Sequence, residues 1–147
     1  MSDTVTFHRL AEQNAELLSD ADVFDHATDP AQLARFVADP GHEMVVATIG
    51  GKVIGFASGT LLLHPDKKPA FFVNEVGVNE GFRQRGIATA LCERLFTIAR
   101  SLGCKGIWLA TEADNTAARA LYRRLDARET EDVVVYDWDG AMDEPGV

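Results

Sequence analysis

The feature that most restricts this chain is a pair of adjacent glycines, Gly50-Gly51, set between two apolar runs, Met44 to Ile49 and Lys52 to Leu63. Two glycines there supply the positive φ that a two-residue hairpin turn needs, so two long antiparallel strands are expected. Such a hairpin cannot bury itself and must be covered by other elements. The same stretch argues against a membrane span, because Gly50, Gly51, Lys52, Gly55 and Gly59 interrupt the longest apolar run in the chain.

The covering elements follow from hydrophobic periodicity on either side. Val5 to Leu10 alternates as a strand, and Ala11 to Leu18 reads as a short helix. An acidic loop with Asp20, Asp22, Asp25 and Asp29 leads to Pro30, which opens a second helix with Leu33, Phe36 and Val37 on one face and Asp39-Pro40-Gly41 as its stop. Phe71 to Val78 is a further strand. Gly86 to Leu102 is a helix with Ile87, Leu91, Leu95, Ile98 and Leu102 as its apolar stripe and Gly103 as its terminator. A strand over Gly106 to Thr111 precedes a helix capped by Asp114-Asn115, with Ala118, Leu121, Tyr122 and Leu125 on one face, and Val133 to Tyr136 reads as a last strand. This order predicts an α/β fold, a mixed sheet covered by helices.

Length and charge narrow the classes of function. At 147 residues the chain is expected to be a single domain, residues 1–147, with a core from about residue 5 to 138 and a tail over 139–147. A net charge of −9 disfavours broad contact with nucleic acid or an anionic membrane and accommodates a cationic partner. The start, Met1-Ser2-Asp3-Thr4, has no basic segment followed by an apolar run, and Cys92 and Cys104 suit neither a disulfide framework nor a zinc site. A cytoplasmic protein is expected. His8, His26, His42 and His64 fall in no metal-like spacing, so no metal is expected.

The chemistry concentrates between Phe71 and Leu91. Arg83-Gln84-Arg85-Gly86-Ile87-Ala88 opens the long helix directly after a strand. A helix start leaves backbone N–H groups unpaired and carries partial positive charge, which suits phosphate oxygens. Arginines are unfavourable there unless an anion binds, and Gly86 and Ala88 leave room for one. Within the strand, Glu75 is a carboxylate among apolar neighbours, which costs free energy unless it has a partner, reaches solvent or performs a task.

In this context the segment resembles the Gcn5-related N-acetyltransferase (GNAT) superfamily, whose signature Arg/Gln-x-x-Gly-x-Gly/Ala is matched by Arg83, Gly86 and Ala88. The resemblance extends from about Val5 to Trp138, and Asn115-Thr-Ala-Ala-Arg-Ala-Leu-Tyr122 is similar to a second stretch of that family. It implies a mostly antiparallel sheet of six to seven strands with helices on both faces. It also implies a splayed pair of parallel strands, Phe71 to Val78 and Gly106 to Thr111, with a bulge at Gly77. Acetyl-CoA as co-substrate is implied at Val76, Gly77 and Val78, at Arg83, Gln84, Arg85, Gly86, Ile87, Ala88 and Thr89, and at Asn115 and Tyr122. The implied catalytic roles are a Val76 backbone N–H for the oxyanion, Tyr122 as acid toward the thiolate, and Glu75 as base, with Glu112 and Asp114 as rivals for the base.

For the acceptor, the resemblance is nearest to type I aminoglycoside 3-N-acetyltransferase-like members. It places Asp25, Asn74, Glu75, Glu112 and Asp114 around a small cationic amine, with Asp20, Asp22 and Asp143 as further acidic residues, and it implies a homodimer. Two other readings stay open: a protein or peptide N-acetyltransferase, and a non-catalytic acyl-CoA-binding module. Retention of both Glu75 and Tyr122 counts against the module.

Overall fold

The computed structural model describes residues 4–138, so the expected tail over 139–147, including Asp143, lies outside the described residues. Two compact units are present, Met1–Ala110 and Thr111–Val147. The first holds a five-stranded sheet in the order β1-β2-β3-β4-β5. Its strands are β1 (Thr6–Arg9), β2 (His42–Ile49), β3 (Lys52–Leu62), β4 (Ala70–Val78) and β5 (Gly106–Trp108). The first four pair antiparallel, and β4 with β5 is the parallel pair. Gly50 (φ 58°) and Gly51 (φ 80°) make the expected hairpin turn between β2 and β3.

Helices cover both faces. On one face Val45, Ala47, Ile54, Ala57, Phe71 and Val73 meet α2 (Ile87–Ser101) through Leu91, Leu95 and Ile98. On the other, Met44, Val46, Val53 and Phe56 pack with Leu10 and Leu18, and with Leu33, Phe36 and Val37 of α1 (Pro30–Ala38). Phe71, Leu91 and Leu95 are fully buried, each contributing roughly 1.5–3 kcal/mol by leaving water. α1 starts as its sequence indicates: Pro30 occupies the first turn, and the Asp29 carboxylate accepts from the Ala31 and Gln32 amides at 2.9 and 3.1 Å. Gly103 (φ 84°) ends α2 in a Schellman arrangement, with Cys104 N–H donating to Ala99 and Gly103 N–H to Arg100. The expected helix at Ala11 to Leu18 is instead a 3-10 segment, Glu12–Leu18, whose entry is closed by Asn14 accepting from the Ala11 amide.

Two bulges shape the sheet. In β3, Ala47 pairs with Gly55 and Thr48 with Val53, leaving Ile54 as an extra residue. In β4, Ser58 pairs with Glu75 and Gly59 with Val73, leaving Asn74 extra. Gly77, where a bulge was expected, is in regular register opposite Phe56. Its lack of a side chain serves close packing: a Cβ there would sit 3.1 Å from the Phe56 ring.

The second unit contains α3 (Thr116–Arg124), capped by Asn115 Oδ1 accepting from the Ala118 amide at 3.0 Å. Asp126 (φ 62°) adopts the left-handed conformation that ends α3, with Ala127 N–H donating to Tyr122 and Asp126 N–H to Arg123. Arg119 ties this unit together. It donates to the Ala113 carbonyl at 2.7 Å and pairs with Glu129 and Glu131, while Arg123 also pairs with Glu129 at 3.0 Å. The last expected strand, Val133 to Tyr136, is absent, and five strands stand where six to seven were expected. Val133, Val134, Val135 and Tyr136 are 69–78% exposed. Strand propensity reflects a fit to a half-buried pleated surface, and no ladder partner engages this segment among the described residues.

Two measurements follow. A methyl group at Gly59 would overlap the Phe71 ring and the Phe72 carbonyl, so Gly59→Ala is expected to lower stability by about 1–3 kcal/mol in urea unfolding. Hydrogen bonds from Arg119 and Arg123 hold the Glu129 carboxyl down at about 2, so its contribution is complete above the ordinary carboxylate range and is lost as pH falls through about 2. Side-chain NMR titration should find that midpoint, and Arg119→Ala should return it toward ~4.3.

Candidate active site

β4 is the strand on which the site is built. Phe71 and Val73 point to the α2 face, and strict alternation would send Glu75 there too, into an apolar core. The extra residue Asn74 resets the alternation, so Val76 and Val78 return to the α2 core. Asn74 and Glu75 are consequently both presented on the opposite face. Asn74 Nδ2 donates to Thr60 Oγ1 at 2.8 Å, and Glu75 lines a cleft of about 320 Å³.

That cleft is floored by Leu18, Phe24, Leu33, Phe36 and Met44, with Asp25, His26, Thr28, Asp29, Gln32 and Glu75 as its polar residues. It thus brings together Asp25 and Glu75, which lie far apart in sequence, and neither makes a side-chain hydrogen bond or ion pair among the described residues. Phe24 is held by an edge contact with Phe56, ring centroids 4.7 Å apart. The cleft's apolar walls are the part sequence reasoning missed. The helical periodicity of Leu33 and Phe36 within α1 marks them as core, and nothing local distinguishes a core residue from a cleft wall. Another cleft, about 360 Å³, between the 3-10 segment and α1 contains no β4 residue and so lies away from Glu75.

On its other edge β4 pairs with β5 only from Ala70 to Phe72. β5 ends at Trp108 rather than at the expected Thr111, so from Val73 to Val78 the β5-facing edge of β4 has no strand partner in this unit. Val76, Gly77 and Val78 lie along this stretch, where alternate backbone groups, those of Val76 among them, face the open edge, while the Val78 carbonyl accepts from Arg83 Nε.

At the end of β4 the chain turns through Asn79, a 3-10 turn over Glu80–Phe82, and Arg83 into α2. The bulged Ile54 anchors this turn, its carbonyl accepting from the Asn79 amide at 2.9 Å. Arg83, expected as an anion-binding charge, has a structural task as well, since its Nε donates to the Val78 carbonyl at 3.0 Å. The Arg85 guanidinium lies 5.4 Å from the Phe82 ring centroid. Gln84 (φ 63°) and Gly86 (φ 75°) are both left-handed, and for a non-glycine residue that conformation costs roughly 1–3 kcal/mol. Left-handed residues in such a turn make the N–H groups converge as an anion-binding nest. Gly86 is also the N-cap of α2 and supplies no side-chain cap, so the first amides of α2, at Ile87, Ala88 and Thr89, have no side-chain acceptor. Loop and helix start together present uncapped N–H groups and partial positive charge, an arrangement chemically suited to phosphate oxygens.

The other expected site residues belong to the second unit. Glu112 and Asp114 are exposed in the turn before α3, where their carbonyls accept from the Asn115 and Thr116 amides. Asn115 is the N-cap of α3, and Tyr122 lies in its last turn, half-buried. Burial pushes the Cys92 thiol up to about 11, which makes it a poor nucleophile at neutral pH. Among the described residues no cluster of histidine, cysteine, aspartate and glutamate is placed to hold a metal ion, and no helix is long and apolar enough to cross a membrane.

Comparison with known proteins matches residues 8–127 to the Acetyltransferase (GNAT) family. The chain is 34% identical to the N-alpha-acetyltransferase RimI of Mycobacterium tuberculosis over 117 residues, which are 78% of this chain and 70% of that protein. It is 30% identical to the aminoglycoside N(6')-acetyltransferase type 1 of Salmonella typhimurium over 95 residues, 62% of this chain and 66% of the relative. Among solved structures, AAC(6')-Iy in complex with the bisubstrate analogue CoA-S-monomethyl-acetylneamine superposes with a TM-score of 0.76 at 23% identity, covering 92% of this chain and 99% of the other. A likeness at that identity supports the fold. The aminoglycoside relative carries the 6' designation, not the 3-N designation of the expected subfamily.

The Gly86 conformation is directly testable. A Cβ at Gly86 meets nothing within 4 Å, so Gly86→Ala acts through its positive φ alone. Strain of roughly 1–2 kcal/mol for a left-handed alanine is expected to weaken coenzyme A binding by about tenfold in calorimetry. Gly81→Ala, equally uncrowded and with an ordinary φ, should stay within about twofold.

Proposed function

The chain belongs to the acetyltransferase (GNAT) family, and from that premise we propose that it transfers acetyl from acetyl-CoA to the primary amine of a small cationic substrate. The observation that carries this reading is the β4 arrangement. One strand presents Glu75 to a cleft on one side, offers unpaired backbone on its β5 edge, and runs at its end into the loop and helix start suited to phosphate. Coenzyme pyrophosphate would rest on the amides of Gln84 to Thr89, with the pantetheine arm along the open edge at Val76, Gly77 and Val78. Asn115 would contact the same arm.

Transfer is direct, in a ternary complex. Glu75, alone or through a water, accepts a proton from the acceptor ammonium. The freed amine nitrogen attacks the thioester carbonyl carbon, forming the C–N bond and a tetrahedral oxyanion that the Val76 N–H stabilises. Collapse breaks the C–S bond, Tyr122 protonates the departing thiolate, and the second proton lost by the former amine nitrogen restores the tyrosine hydroxyl directly or through water. The products are the N-acetylated amine and free coenzyme A. Asn74, fixed by Thr60, orients the acceptor. The cleft carboxylates Asp25 and Glu75 support a cationic acceptor, and the aminoglycoside relative supports a small one. The relative RimI supports a second reading, acetylation of a protein N-terminus. We further infer that Glu112 and Asp114 contribute negative charge toward the acceptor, and that the protein is a cytoplasmic homodimer.

Glu75→Gln keeps the side chain's shape while removing its basicity. It is expected to lower kcat at neutral pH by about 10²–10⁴-fold, with acetyl-CoA binding preserved in calorimetry. Near-normal turnover would remove Glu75 from the role of base. Amine-dependent thiol release with peptide N-termini alone would favour the second reading.

A further inference from the structure

The lining of the Glu75 cleft divides into a continuous apolar floor and a polar set made of Asp25, His26, Thr28, Asp29, Gln32 and Glu75. Leu18, Phe24, Leu33, Phe36 and Met44 supply a hydrocarbon floor, and Met44 and Leu18 are themselves buried. Of the three carboxylates on the rim, Asp29 is engaged in capping α1, which leaves Asp25 and Glu75 without a partner. No lysine or arginine lines the cleft, and His26 is the one basic side chain in its lining. Thr28 adds a buried hydroxyl with no hydrogen-bond partner in the same lining. The volume, about 320 Å³, stands near the lower end of the range for small-molecule pockets.

We propose that the acceptor is a dicationic amine on an apolar skeleton, an α,ω-diamine or an arylalkyl diamine, whose reacting nitrogen meets Glu75 while its second cationic nitrogen pairs with Asp25. This inference rests on the acetyltransferase reading of the same cleft and specifies its substrate. The hydrocarbon linker lies against Phe24, Phe36 and Met44, gaining from burial without asking for hydrogen bonds. A polyhydroxylated aminocyclitol would find partners at His26, Thr28 and Gln32, but any hydroxyl it turned to the floor of Leu18, Phe24, Leu33, Phe36 and Met44 would lose water without a replacement. The two unpaired carboxylates set the charge of the ligand, and the floor sets the character of what joins its two nitrogens. Asp25 is thereby a specificity-determining residue with no part in proton transfer.

The test compares kcat/KM, by coenzyme thiol release, for a series of α,ω-diaminoalkanes, the corresponding monoamines, 2-deoxystreptamine and an N-terminal peptide, using the full chain. Diaminoalkanes are expected to exceed both their monoamine counterparts and 2-deoxystreptamine by about tenfold or more, the scale of one favourable ionic contact. In Asp25→Asn the diamine-to-monoamine ratio should fall by about the same factor. The effect should reside in KM, whereas a merely structural role would lower kcat for every amine alike. Equal or better turnover of 2-deoxystreptamine or the peptide would overturn the inference, as would a diamine preference that survives Asp25→Asn. Calorimetry with a diaminoalkane in the presence of coenzyme A separates this from failure of the catalytic reading. Binding that needs Asp25, without turnover of any amine, overturns the acetyltransferase reading alone; no binding overturns the inference.

Discussion

One inserted residue organises this molecule. β4 must bury Phe71 and Val73 beneath α2 and also carry a carboxylate, and regular alternation allows only the first. The bulge at Asn74 reconciles the two demands by shifting the pleat, so that Glu75 leaves the core face while Val76 and Val78 rejoin it. A buried unpaired carboxylate would cost several kcal/mol, more than the ladder irregularity that avoids it. The same shift sets Asn74 beside Thr60, where a hydrogen bond fixes its amide.

The second bulge, at Ile54, acts on the far end of the strand. Its carbonyl accepts from Asn79, where β4 gives way to the loop, and Arg83 closes the turn from the other side by donating to Val78. Between these two anchors the chain enters α2 with Gln84 and Gly86 left-handed. Strain of this kind persists only where the surroundings over-determine it, and the two anchors provide that support. The conformation of this turn is therefore set by contacts within the chain itself, through Ile54 and Asn79 on one side and Val78 and Arg83 on the other.

Local signals made much of this legible. The Gly50-Gly51 hairpin, the Pro30 start, the Gly103 stop and the Asn115 cap are each written in residues whose backbone or side-chain chemistry admits few alternatives. Arg83, Gly86 and Ala88 marked the loop for a similar reason. Where sequence reading failed, the deciding contact was distant. A glycine in a strand suggested a bulge at Gly77, but its absent side chain makes room for Phe56. The true bulge falls at Asn74 because Val73 and Val76 both belong to the core across the strand, a constraint visible only with α2 in place. β5 stops at Trp108, short of Thr111, and Val133 to Tyr136 looks like a strand by composition yet forms none. Glu75 and Asp25 stand out in the sequence as carboxylates and line one cleft, whereas its apolar floor reads as ordinary core.

Phe56 has a neighbour on each side that matters. One edge of its ring lies over Gly77 on the open strand, and it meets Phe24 of the Glu75 cleft in an edge contact with an interplanar angle of 65°. A single aromatic side chain is thus a common partition between the place where the acyl donor would lie and the place where the amine would lie. A Cβ at position 77 would stand 3.1 Å from the Phe56 ring, so that ring would have to give way slightly. A change at position 77 is therefore felt first by the very ring that touches Phe24, so the strand edge and the cleft share one side chain.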